Sequence, residues 1–365
     1  MATEQLGMLD PSAESANRSD LFTALGKPGG GSGEGEDSSS YCVGVGVGPY
    51  RLALRRLRRN RVALAFGLLF LAIVVACLAA PLYAHYVAGR GPNSNDVTGT
   101  LRLNGHTVDV VSTTGIPLGP TWRAHFFFGA DQNGRDVAVR LLYGGRTSLQ
   151  VGFVATAITI VAGVVTGTVA GFYRGPVDSI LARVLDVIWA FPAVLLGVAV
   201  GTSVALGGGI TIGPLSIRGN SVYIPALIIG FVYIPYIAKP IRGQVLAIRE
   251  KEFVDAARCL GSSSLRIMGS EVLPNLMSTI VVFIPLILAG AILLEASLSF
   301  LGAGVQPPNA SWGTMIHGGL GLLTSSPQLV LVPGATLMLT VLGINVFGEG
   351  VRDALDPRAE IRIRR

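Results

Sequence analysis

The stretch EFVDAARCLGSSSLRIMGSEVLP, residues 252–274, is polar enough to lie in water, although it stands between two of the most apolar runs of the chain. Its first half has apolar side chains at the spacing of one helix face: Phe253, Ala256, Ala257 and Leu260. Gly261 follows them and predicts a left-handed helix end, while the serines at 262–264 predict the start of a second helix. We expect that second helix, with its apolar face at Leu265, Met268 and Val272, to end at Pro274. The stretch therefore predicts a helical hairpin outside the lipid.

Composition places the rest of the chain in a bilayer. Half of the residues are hydrophobic, only 14% are charged and 48 are glycine, which is typical of a multi-span membrane protein and not of a soluble domain. In a soluble protein the net charge of +6 would suggest nucleic acid, but here the arginines cluster at the ends of apolar runs. We therefore predict an all-α integral membrane protein that is surrounded by membrane lipid and does not bind nucleic acid.

Six apolar runs are long enough to cross a hydrocarbon core of about 30 Å. They are residues 62–83, 151–173, 187–206, 222–238, 276–305 and 329–348. The segments that would then be cytosolic hold six, two, six and five Lys and Arg residues in chain order, whereas the two short outer loops hold only Arg218. This bias predicts that both termini and the loop 239–275 lie in the cytosol of a multi-pass protein of the cytoplasmic membrane.

Two further segments lie outside the predicted spans. Residues 1–48 carry seven acidic residues against two basic ones and no apolar run, which predicts a disordered cytosolic tail ahead of a membrane domain at 49–365. Residues 84–150 form a long outer segment, in which Asn104-Gly105 predicts a small β-hairpin.

Glu295 is the most unusual residue within a predicted span, because an ionised carboxylate is expensive in lipid. Together with Ser297 and Ser299 it is a candidate for a pore or subunit interface; the alternative is a packed, hydrogen-bonded structural residue.

Asp186, at the edge of its span, is expected to pair with Arg183 one turn away. Glycines one turn apart, at 163, 167 and 171, predict a flat face on which another helix packs closely.

Motifs for chemistry are missing. Gly26-Lys27 has neither the upstream glycine nor the following Ser or Thr of a phosphate-binding loop, so we predict that the chain is not an enzyme and has no ATPase site of its own. The loop 131–134 has its glycine too early for a calcium site. Neither the four histidines nor the three cysteines have metal-ligand spacing, and we predict no metal, no disulfide and no cofactor.

The opening stretch resembles a known family. Asp255-Ala256-Ala257, then Gly261, then Leu273-Pro274 are similar to the "EAA" loop in the membrane subunits of bacterial ATP-binding-cassette (ABC) importers, with Asp255 where the family usually has Glu and Glu271 where it favours an apolar residue. In that family the loop forms a coupling helix that docks into a groove on a separate ATPase subunit. The resemblance implies a coupling role for Glu252, Phe253, Asp255, Ala256, Ala257, Gly261, Leu265, Met268 and Pro274.

Two more segments, FFGADQNGRDVAVRLLYGGRTSLQVG (127–152) and LLEASLSFLGAGVQPPNASWGTMI (293–316), resemble the "C"-type subunit of the dipeptide and oligopeptide branch. The resemblance implies a type I ABC importer permease fold and peptide cargo. It also implies a sister permease, two ATPase subunits that bind ATP and Mg, and an extracytoplasmic binding protein. Nickel, opine or glycoside cargo stays open, and the competing classes are an ion-coupled secondary transporter, with Glu295 as coupling group, and a non-transporting scaffold.

Overall fold

Long apolar helices account for most of the residues that the computed structural model describes, which are 49–103, 105–212 and 215–355. In chain order the helices are α1 (Pro49–Arg59), α2 (Arg61–Leu78), α3 (Ala80–Tyr83), α4 (Val137–Tyr173), α5 (Gly175–Ala190), α6 (Ala193–Leu206), α7 (Tyr223–Val232), α8 (Ile234–Ile248), α9 (Glu252–Cys259), α10 (Ser264–Ile267), α11 (Leu273–Phe300), α12 (Trp312–Gly319) and α13 (Gln328–Leu355). The predicted tail 1–48 lies outside the described residues.

Short elements complete the described chain. Wider π-helical turns occupy Ala84–Ala88 and Met268–Val272, and a 3-10 turn occupies Leu320–Leu322. Two antiparallel hairpins are formed by β1 (Thr100–Leu103) with β2 (His106–Asp109), and by β3 (Gly209–Ile212) with β4 (Leu215–Arg218). The first confirms the hairpin predicted in the outer segment, since Leu103 pairs with His106; Asn104 itself is outside the described residues.

Five of the six predicted membrane crossings fall on continuous helices, and the sixth falls on a bent helix pair that counts as one span only if both helices cross together. Five continuous stretches are long and apolar enough to span a bilayer: Arg61–Leu78, Val137–Tyr173, Tyr223–Ile248, Ser264–Phe300 and Gln328–Leu355. The sixth is the pair α5 and α6, whose axes meet at 87°. The span predicted at 187–206 falls on this pair, and the bend arises because Phe191 is extended and Pro192 has no N–H to continue the helix.

Helix α4 begins earlier than its apolar run, so that residues 137–150, the end of the predicted outer segment, are helical. The start is set by Asp136, whose Oδ1 accepts the N–H groups of Ala138 and Val139 at 2.8 and 3.2 Å. Oδ2 of the same carboxylate accepts the Phe126 N–H at 2.7 Å and ties the outer segment to the helix. Burial raises the pKa of Asp136, while these three N–H groups and Arg90 act in the opposite direction.

The glycine face of α4 packs against α8, as predicted. A Cβ atom built on Gly163 would stand 2.8 Å from the Ile237 side chain, and one on Gly171 would stand 2.8 Å from the Arg242 carbonyl oxygen. At Gly167 the nearest atom would be the Ala238 carbonyl oxygen, at 2.5 Å. Backbone on backbone contact of this kind leaves no room for any side chain.

We expect Gly167→Ala to destabilise the protein by about 1–3 kcal/mol, because the methyl group must push α4 and α8 apart. Gly334→Ala in α13 is the matched control, since a Cβ there meets nothing within 4 Å. Thermal unfolding of the two purified variants in detergent measures the difference. Equal melting temperatures would contradict the close approach of the two helices.

Candidate functional site

The predicted hairpin is present and consists of α9, a tight turn and α10. Gly261 has φ of 77°, the left-handed conformation predicted for it. Its N–H donates to the Arg258 carbonyl at 2.9 Å, and the Ser262 N–H donates to Ala257 at 3.1 Å, which closes the helix end. Ser263 precedes α10 as expected, but its hydroxyl makes no capping hydrogen bond.

One face of the hairpin is fixed to the helices of this chain. Val254, Ile267 and Val272 are fully or almost fully buried, and they share a hydrophobic cluster with Ile241 and Val245 of α8. Met268, predicted to couple to a partner, belongs to the same buried cluster. These contacts hold the hairpin in one orientation relative to the bundle.

The opposite face carries the predicted apolar stripe and is exposed. We call Phe253, Ala256, Leu260 and Leu265 the coupling surface; Leu260 is 86% exposed and Leu265 is 75% exposed. Ala257 is half-buried at its edge. Exposed apolar clusters outside lipid are typical of protein interfaces. The polar side of α9 is exposed as well, with Glu252 in its first turn and Asp255 bound to Arg258 at 3.0 Å.

Pro274 does not end the second helix, contrary to the prediction. Residues Ser264–Phe300 form one continuous helical stretch, in which the wide turn at Met268–Val272 lets the Leu273 N–H bond the Met268 carbonyl. Pro274 then falls in the first turn of α11, where its missing N–H costs little. The hairpin is therefore rigidly continuous with a membrane-spanning helix.

Glu295 is completely buried inside this chain. The Ser299 hydroxyl donates to its Oε1 at 2.6 Å, and the same hydroxyl accepts the Val305 N–H at 3.0 Å. The hydroxyls of Ser148 and Ser311 also lie next to the carboxyl group, but neither completes a hydrogen bond with Oε2, which has no partner among the described residues.

The cluster around Glu295 joins three helices. Ser148 of α4 accepts the Trp312 N–H at 3.2 Å, and the Trp312 indole donates to the Leu141 carbonyl at 3.1 Å. Ser311 caps α12 through the Thr314 N–H at 3.2 Å. Glu295, predicted to face a pore or a subunit interface, is enclosed within this chain by the packing of α4, α11 and α12.

The two serines near Glu295 differ. Ser299 belongs to the buried cluster, whereas Ser297 is half-buried and donates to the Leu293 carbonyl of its own helix at 2.8 Å. Sequence reasoning placed all three polar residues in one group, but their positions on the helix separate them. Ser148 and Ser311 were missed, because only the packing of distant segments brings them to Glu295.

Sequence reasoning also missed an ion pair near the bend between α5 and α6. Asp186 pairs with Lys239 at 2.7 Å, and not with Arg183 as expected, since Lys239 approaches from the neighbouring α8. The one available signal was a pair of opposite charges at the edges of two predicted spans.

The segment 127–152 forms a turn followed by the start of α4. Asp131 accepts the backbone N–H groups of Asn133 and Arg135 at 2.9 and 3.0 Å, and the Arg135 side chain at 2.7 Å. Its carboxylate is thus already occupied by donors. Across the part of the chain that the structure describes, no group of three or more His, Cys, Asp or Glu side chains could hold a metal ion.

Comparison with known proteins adds independent findings. The family model described as "Binding-protein-dependent transport system inner membrane component" matches residues 163–361. A second model, the "N-terminal TM domain of oligopeptide transport permease C", matches residues 48–96. The two matches cover the first span and the region from α4 to the C-terminal helix.

Curated relatives align over most of their length. The chain is 33% identical to a dipeptide transport system permease protein of Alkalihalophilus pseudofirmus, over 85% of this chain and 90% of the relative. It is 36% identical to a putative peptide transport system permease protein of Brucella suis, over 86% and 93%. It is 33% identical to an oligopeptide transport system permease protein of Bacillus subtilis, over 84% and 88%.

Proposed function

Because this chain belongs to the family of inner-membrane components of binding-protein-dependent transport systems, we propose that it is the "C"-type permease subunit of an ATP-driven importer of di- or oligopeptides. The fold is that of a type I ABC importer permease, in a multi-pass protein of the cytoplasmic membrane. Peptide cargo is supported by relatives named for dipeptide and oligopeptide transport.

The coupling surface is the single structural observation that carries the proposal. Its large apolar side chains at Phe253, Leu260 and Leu265 are exposed, while the buried face at Val254 and Ile267 fixes their orientation. The coupling surface is apolar and lies on a hairpin that continues into α11, so it is suited to transmit the movement of a docked partner to the membrane spans. We infer that the coupling surface of this chain docks on one ATPase subunit of a pair. The equivalent surface of a sister permease docks on the other.

In this scheme the chain has no catalytic residue and binds neither ATP nor Mg, which are held by the partner ATPases. An extracytoplasmic binding protein delivers the peptide. The distribution of Lys and Arg supports an orientation in which both termini and the coupling surface face the cytosol. The buried position of Glu295 supports a structural role in place of the ion-coupling role that a secondary transporter would need.

The test is reconstitution of the chain with its sister permease, two ATPase subunits and binding protein in liposomes. We expect uptake of labelled dipeptide that requires ATP and every subunit, and no ATP hydrolysis by this chain alone. The control omits only this chain and should show no uptake. Uptake driven by an ion gradient without ATP, or of nickel in preference to peptide, would contradict the proposal.

A further inference from the structure

A cleft lies where α5 and α6 meet at 87° and the junction of α7 with α8 packs against them. Its volume is about 290 Å³, and we call it the bend cleft after its main lining residues, Trp189, Phe191, Pro192, Val232, Pro235 and Tyr236. The rings of Trp189 and Tyr236 stack with centroids 4.6 Å apart and planes inclined by 16°. Both side chains remain 45% exposed, so the stack is accessible from outside this chain.

An ion pair borders the bend cleft. Asp186 precedes Trp189 by three residues in α5, and Lys239 follows Tyr236 by three residues in α8. Lys239 Nζ lies 2.7 Å from Asp186 Oδ1 and 4.4 Å from the centroid of the Trp189 ring. The Asp186 side chain is 66% exposed, which leaves its carboxylate free to accept a second cationic group. Lys239 is held by the ring as well as by the carboxylate.

Two features of this face favour a protein or water neighbour over lipid. Asp186 and Lys239 lie at the edges of two predicted spans, where ionised side chains reach water or a protein partner. The break at Phe191 and Pro192 also leaves the last carbonyls of α5 without helical partners, which membranes tolerate only inside protein or beside water. We therefore infer that the bend cleft opens on a subunit interface or an aqueous passage.

We propose that the bend cleft is a cargo-contact site, which receives one aromatic or large aliphatic side chain of a short peptide while Asp186 binds the peptide's α-ammonium group. The proposal rests on the proposed function of the chain as a peptide importer. The volume lies just below the range of about 300–1,000 Å³ for ligand pockets, so that one side chain fits and a whole oligopeptide does not. The stacked rings supply an apolar wall, and Lys239 attracts the carboxylate of a dipeptide.

The probe is a dipeptide with p-benzoyl-phenylalanine first and alanine second, because its photoreactive ring is on the residue that carries the ammonium group. The complete reconstituted complex is irradiated during ATP-driven turnover, and crosslinks are mapped by mass spectrometry. We expect crosslinks at residues 188–193 and 232–236. Crosslinks to this chain confined to other segments would overturn the proposal.

Two variants give the quantitative result. Tyr236→Leu should lower the crosslinking yield roughly tenfold, the order of effect when a pocket loses part of its fit to a side chain. Tyr223→Leu is the matched control, since Tyr223 is 49% exposed at the start of α7 but does not line the bend cleft. Asp186→Asn should also lower the yield several-fold.

Equal yields from Tyr236→Leu and Tyr223→Leu would overturn the cargo-contact site. The proposed function is judged separately, by the uptake of unmodified dipeptide. A wild-type complex that imports dipeptides but shows no crosslink in the bend cleft refutes the site alone. A wild-type complex that imports no peptide refutes both.

Discussion

Replacing Leu260 with aspartate is expected to reduce ATP-driven uptake by at least about tenfold, while the chain still folds and inserts in the membrane. Leu260 is 86% exposed, so the substitution removes almost no contact within the chain. In a docked complex it would remove about 1.5–3 kcal/mol of apolar burial and would place a carboxylate in an apolar groove. The measurements are dipeptide uptake and copurification of the ATPase subunits.

Ser263→Asp is the matched control for this prediction. It adds the same charge to the same exposed turn but lies outside the coupling surface, and aspartate is favourable at the residue before a helix. We expect uptake close to wild type from this variant. If Leu260→Asp retains normal uptake and ATPase copurification, the coupling surface is not the docking site; if both variants fail, charge in the turn is the cause.

Local rules predicted the parts of the fold that local interactions determine. The left-handed conformation of Gly261, the hairpin around Gly105 and the close packing at Gly167 each depend on the residue itself or on one helix face. Five of the six predicted spans followed from apolar length, because a helix satisfies its own backbone hydrogen bonds in lipid. The resemblance to ABC importer permeases, carried by three segments, agreed with the family match.

The errors have a common physical origin, since each depended on geometry that apolar length does not record. Proline was read as a stop at Pro274, where a preceding wide turn accommodates it, and apolar length gave no sign of the 87° bend at Pro192. Hydropathy also missed the helical start at Val137, because the Asp136 cap and not apolar length determines it. Asp186 was given a partner on its own helix, but a neighbouring helix supplied Lys239.

Glu295 shows where sequence reasoning about the site ends. Its cost in lipid favoured a position away from lipid, but the sequence could not distinguish a pore from a packed core. The answer depends on Ser148 and Ser311, which are more than a hundred residues apart along the chain and meet only after α4, α11 and α12 have packed. We therefore expect Glu295 to hold these helices together.

Glu295→Leu is expected to lower the yield and the melting temperature of the assembled complex strongly. Leucine fills a similar volume but removes the acceptor for the Ser299 hydroxyl, and a buried hydroxyl without its partner costs about 1–3 kcal/mol. Glu295→Gln retains an acceptor oxygen at the same position, so assembly and dipeptide uptake should stay close to wild type. The pair of variants separates hydrogen bonding from charge.

Serine variants give an independent control on the same helix. Ser299→Ala removes a hydroxyl that bonds both Glu295 and the Val305 N–H, and it should lower the melting temperature in the manner of Glu295→Leu. Ser297→Ala removes a hydroxyl that bonds only the Leu293 carbonyl of its own helix, so it should have little effect. If Glu295→Gln instead assembles normally but abolishes uptake, the charge itself is required for transport, and a structural role does not account for Glu295.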